Sequence, residues 1–145
     1  MKIIFAATLS LALQGVAFAA DIKFIPASES ITSSVSISGP IVKGDYEKFV
    51  NAVFDDRTVT HPVRQVFLAD SPGGNINEAL AIGRLAGALH LKGFVVGDCY
   101  SACAFIALGL KTRVFLGRIG LHRPYYDAKY YSKLSPFEAD DWYRS

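Results

Sequence analysis

The chain has 145 residues, 51% of them hydrophobic, with 15 basic residues against 13 acidic and a formal net charge of +2. That length supports one domain with a real core and falls short of two. Charge this close to balance, with no lysine or arginine cluster interleaved with aromatics, gives no field to track a phosphate backbone, so nucleic acid is set aside as a partner.

Residues 1–20, MKIIFAATLSLALQGVAFAA, carry one early charge at Lys2, then an apolar run, then Ala17-Phe18-Ala19, a small-x-small site of the kind signal peptidase cuts. The uncharged stretch from Ile3 to Ala20 holds Gln14 and Gly15 and ends in alanines rather than a basic flank, which reads as a cleaved secretory signal and not a membrane anchor. The expectation is a periplasmic or secreted protein with no membrane span after cleavage, folded over 21–145. Losing Lys2 lowers the formal charge to +1, fourteen basic residues against thirteen acidic. In an oxidising compartment the two cysteines of DCYSAC are expected to form a Cys99–Cys103 disulfide. Without a nearby histidine or a second cysteine pair they do not suggest zinc, and nothing in the chain asks for a cofactor.

Taken in order, SITSSVSISG (30–39) alternates apolar and polar positions and predicts a strand with one buried face. KGDYEKFVNAVFDD places Tyr46, Phe49, Val50, Val53 and Phe54 on one face of a helix over 44–54. RQVFLAD (64–70) is a short apolar strand ended by SPGGN. From Asn75, a stripe of Ile76, Ala79, Leu80, Ile82, Gly83, Leu85, Ala86 and Leu89 predicts a second helix. LKGFVVGD (91–98) is apolar enough to be buried on both faces. SACAFIALGL (101–110) follows as a short buried helix, then TRVFLG and RIGLHRP as strands, the latter stopped by Pro124. Strands alternating with helices imply βαβ crossovers and a mostly parallel sheet, an α/β fold with no repeat visible in the sequence. Ser135 to Glu138 has the form of a capping box, and the chain stops seven residues later, so the last helix is either very short or cut off.

In a parallel α/β sheet, sites gather beyond the carboxyl ends of the strands, where both DSPGGN and GDCYSAC fall. A serine at the strand-to-helix turn would present its hydroxyl beside helical N–H groups able to receive an oxyanion. Gly73 and Gly74 leave further N–H groups unshielded. His122, 21 residues after Ser101, is the candidate base, better placed than His61 in a loop or His90 at a helix end. The alternatives are a capping serine and an ordinary strand-end histidine.

LADSPGGNINEALAIGRLA, VVGDCYSACAFIALGLKTRVF and IGLHRP, in that order, resemble the proteolytic subunit of the Clp protease and its crotonase-like relatives, over roughly Val35 to Pro124. The resemblance implies a ββα superhelix with Ser101 as nucleophile, His122 as general base, and the amides of Gly73, Gly74 and Ala102 around the oxyanion. It also implies a peptide or acyl substrate and, by the family's stacked rings, a homo-oligomer. Here the segment between serine and histidine is a few residues shorter, and the region that carries the family's triad acid is not apparent, as if the domain were incomplete at its C-terminus. Asp127, Asp140 and Asp141 match no family position. The leader points to an exported bacterial relative with no ATPase partner. Two functions stay open, an exported serine hydrolase and an inactive crotonase-like scaffold that binds peptide or a partner protein. Four tyrosines in YYDAKYY suit a contact surface, though an amphipathic helix explains them nearly as well. On a regular helix Cys99 and Cys103 would share a face, with Ser101 about 200° round from each.

Overall fold

The computed structural model describes residues 19–29, 32–55, 58 and 60–122; the expected leader up to Phe18, the tyrosine-rich segment and the Ser135 capping box lie outside the described residues. In chain order the elements are β1 (Asp21–Ile25), β2 (Ser34–Ser38), α1 (Asp45–Val53), β3 (Gln65–Ala69), α2 (Ile76–Ala88), β4 (Lys92–Val95), β5 (Cys99–Tyr100), α3 (Ala102–Gly109), β6 (Thr112–Phe115) and β7 (Ile119–Gly120). A five-stranded sheet runs β1-β2-β3-β4-β6, with β5 and β7 paired in a separate ladder. Strands β2, β3, β4 and β6 are parallel and β1 is antiparallel to β2. This is a mixed α/β fold with a mostly parallel sheet.

Period-two alternation decides which side chains enter the core. Val35 and Ile37 of β2, Val66 and Leu68 of β3 and Val95 of β4 are buried with Phe49 and Val53 of α1, Ala79, Ile82 and Ala86 of α2, and Ile106 of α3. The opposite face carries the register row Ser36, Phe67, Phe94 and Val114, all only half-buried. There Phe67 and Phe94 stack with centroids 5.1 Å apart. Residues 91–98 are therefore not buried on both faces, and Val96 is 43% exposed.

Helix α2 starts where its sequence says, at Asn75, whose side chain accepts from the N–H groups of Asn77 and Glu78. Its outer positions Ile76 and Leu89 are exposed, as are Tyr46 and Phe54 at the ends of α1, so the buried stripes are narrower than the apolar ones. Helices α2 and α3 approach so closely that a methyl at Gly83 would lie 3.0 Å from the Phe105 carbonyl oxygen. Strand β1 is an addition to the expected order: DIKFI exposes its charges and packs Ile22 and Phe24 against the core.

Beyond each parallel strand the chain makes a second, shorter stretch that leaves the main sheet. Ile41 follows β2 and bridges Gly74; Ser71 follows β3 and bridges Cys99; β5 follows β4 and pairs with β7, which follows β6. A helix comes after the first three. The chain thus repeats a strand, a short strand and a helix, the ββα pattern the resemblance implied, although the sequence shows no repeat. No helix among the described residues is long and apolar enough to cross a membrane.

Candidate active site

Ser101 occupies the single residue between β5 and α3, at φ 54° and ψ −120°. A β-carbon is poorly tolerated there, and such a conformation costs roughly 1–3 kcal/mol, held only when the surroundings over-determine it. The surroundings are specific. The Ser101 N–H donates to the Gly120 carbonyl at 2.8 Å, and its own carbonyl accepts from the Ala104 N–H at 3.0 Å. The side chain makes no capping hydrogen bond, so the capping role considered from sequence is not the one observed. The adjacent Ala102 N–H opens α3, where the first turn has no intrahelical acceptors.

The expected disulfide joins Cys99 and Cys103 with Cα atoms 5.3 Å apart, both sulfur-bearing residues fully buried. Its geometry differs from two positions on one helix: Cys99 lies in β5 and Cys103 in the first turn of α3. The bridge spans the bend at Ser101 because the chain reverses there instead of running straight into a helix.

Gly73 meets this bend directly. At φ 92°, a β-carbon on it would fall 2.5 Å from the Tyr100 oxygen, 2.7 Å from the Ala102 nitrogen and 2.7 Å from the Ser101 β-carbon. Only glycine permits both the backbone angle and the contact. Ser71, buried, donates its hydroxyl to the Gly39 carbonyl at 2.7 Å and accepts a long bond of 3.3 Å from the Gly73 N–H. Gly74 turns away toward Ile41, with which it bridges. The three amides named from sequence therefore divide: those of Gly73 and Ala102 flank Ser101, and Gly74 belongs to the neighbouring turn.

His122 lies two residues beyond Gly120, whose carbonyl holds the Ser101 N–H. The β5–β7 ladder pairs Cys99 with Ile119 and Tyr100 with Gly120, so the strand that leads to His122 runs beside the one that leads to Ser101. His61 and His90 are exposed elsewhere, His61 beside the Thr60 hydroxyl at 3.0 Å. Asp127, Asp140 and Asp141 lie outside the described residues.

A pair that sequence reasoning passed over holds β5 and β7 together. Arg118 grips Asp98 with two bonds, Nε to Oδ1 at 2.7 Å and Nη2 to Oδ2 at 2.6 Å. The Arg118 hydrogen bond holds the Asp98 carboxyl below the ordinary carboxylate range, against some desolvation, with the guanidinium charge and a Tyr100 hydrogen bond adding to it. The Asp98 N–H in turn donates to Asp70 Oδ1 at 3.2 Å. The signal available was an aspartate and an arginine at matching positions after the neighbouring strands β4 and β6, each immediately before the short strand it anchors.

No family model matches the chain. No curated protein matches it either. Among solved structures, the chain is similar to a protein described as an enoyl-CoA hydratase from Streptomyces coelicolor A3(2), at 15% identity and a TM-score of 0.40, over 80% of this chain and 52% of that one. The chain thus spans about half the length of that protein.

Proposed function

We propose that the protein is an exported serine hydrolase, peptidase-like, that works through an acyl-enzyme on a peptide or another acyl substrate. The observation that carries this is Ser101, a non-glycine residue held at φ 54° between a strand and a helix with its hydroxyl uncommitted to capping. Backbone strain of this kind collects at functional sites, and a strand-turn-helix bend is how hydrolases expose a nucleophilic serine. In the mechanism, His122 takes the Ser101 proton as Oγ attacks the carbonyl carbon. The Ala102 amide receives the oxyanion, joined by the Gly73 amide as it gives up its long 3.3 Å bond to the Ser71 hydroxyl; collapse expels the leaving group with the proton from His122, and water repeats the sequence on the acyl-enzyme. The base alone is worth about 10² to 10⁴ in rate. The leader pattern and the internal disulfide support a periplasmic or secreted location.

Exposure of Leu116 (72%), Leu121 (59%) and Phe115 (46%) beside β7 favours a second reading, a scaffold that binds a partner at this edge without turnover. A fluorophosphonate probe separates the two. Hydrolysis predicts labelling of the oxidised protein that Ser101→Ala abolishes and His122→Ala reduces about 100-fold or more; labelling unchanged in Ser101→Ala refutes the assignment.

A further inference from the structure

Asp45 is fully buried at the start of α1. Its Oδ1 accepts from Lys48 Nζ at 2.7 Å, while Oδ2 accepts from the Val42 N–H at 2.7 Å and from the Ala20 N–H at 3.3 Å. The last donor comes from 25 residues upstream, and Ala20 is itself only 5% exposed, whereas Ala19 is exposed. A cut after the small-x-small triplet Ala17-Phe18-Ala19 would fall between those two alanines.

We propose that the Ala19–Ala20 bond is the processing site and that the α-ammonium it releases is the intended partner of the buried Asp45 carboxylate. In the cleavage a signal-type peptidase adds water across the bond: the C–N bond breaks, hydroxide joins the Ala19 carbonyl carbon and the proton goes to the Ala20 nitrogen. An α-amino group with an ordinary pKa of about 7.7–8.0 is then mostly protonated at neutral pH. What was a long amide hydrogen bond becomes a charge-assisted one, of a kind that shortens to about 2.7–2.9 Å. Burial of Ala20 is no obstacle, because a peptidase takes an extended chain and so acts before the domain has folded. The leader would thus end at residue 19, and Ala20 would belong to the domain.

The pair has a consequence for the candidate site. Asp45 fixes Val42; the Ile41 N–H donates to the Gly73 carbonyl at 2.8 Å and the Ile41 carbonyl accepts from the Asn75 N–H at 2.8 Å. Anchoring the new terminus therefore anchors the segment against which the Gly73–Gly74 turn is hung. The inference rests on the leader being cut and not on any role of Ser101.

The test begins with the full chain exported through its own leader and its amino terminus read by mass spectrometry, which is expected to be Ala20. The chain beginning at Ala20 is then compared with the same chain acetylated on Ala20, which keeps an N–H but removes the charge. The free terminus is expected to melt about 3–6 °C higher, with slower hydrogen exchange at 41–45 and 73–75, and Asp45→Asn should abolish the difference. Should Asp45→Asn fail to fold, acylation of the α-amine provides the second measurement: it should run about tenfold slower in the folded chain than in urea, the effect of a one-unit rise in pKa. A terminus other than Ala20 overturns the processing site. Equal melting of free and acetylated chains, or equal amine reactivity folded and unfolded, overturns the ion pair.

Discussion

Replacing Ser101 by glycine and by alanine gives opposite signs depending on whether the bend is strained. At φ 54° and ψ −120° the residue occupies the conformation that the first central position of a type II′ turn reserves for glycine. A β-carbon there costs roughly 1–3 kcal/mol, and alanine retains it. Glycine removes that cost but adds about 0.5–1 kcal/mol of chain entropy lost on folding. Taking the middle of each range, Ser101→Gly should be about 1 kcal/mol more stable than Ser101→Ala. In urea the difference is a midpoint shift of about 0.5 M at an unchanged slope of about 2 kcal/mol/M, and in thermal melts about 3–6 °C. Both variants lose the hydroxyl, so neither should react with a fluorophosphonate. If glycine proves less stable than alanine by the ordinary margin, Ser101 carries no strain and the principal support for a nucleophile at this bend is gone.

Gly73→Ala forces a β-carbon into backbone of the Tyr100–Ala102 bend at 2.5–2.7 Å and holds it at φ 92°. A loss of about 2–5 kcal/mol is expected from overpacking plus left-handed strain, read as a fallen urea midpoint; a shift below about 0.5 kcal/mol would mean the bend can simply move aside. Arg118→Ala should lower the melting temperature at pH 7 and reduce probe labelling by loosening β7 against β5. Because Asp98 has its pKa depressed when folded, the pair's stability is present above the unfolded value near 3.8 and is lost as pH falls through the lower folded value, so the gap between wild type and Arg118→Ala should close in melts taken below that point. Reducing Cys99–Cys103 reopens a five-residue loop, worth about 2 kcal/mol, so the fold should survive. Labelling of Ser101 should fall, since a catalytic group tolerates only about 0.5 Å of displacement; equal labelling rates with and without reductant would remove the bridge from any positioning role.

What the sequence determined by itself was what repeats over many residues. Helix α2 is legible because its apolar stripe spans three turns and Asn75 marks its start, and β3 because QVFLA is bounded by the Pro72-Gly73-Gly74 stop. The cysteine pairing was legible because only two cysteines exist. Tertiary structure alone decided the rest. Strands β5 and β7 are two residues each, too short to carry any period, and exist only because Ser71, Cys99 and Ile119 find partners from separate units. The positive φ of Ser101 has no sequence mark, since serine does not favour it; it is imposed by the Gly120 carbonyl, the disulfide and the room that Gly73 leaves. Asp45 looks like any acidic residue in a first helical turn until distant backbone closes over it. Local periodicity specifies which residues enter the core, because each element can satisfy its own backbone while hiding one face. Strained bends and buried charges need contacts brought from far along the chain, and no local pattern records them.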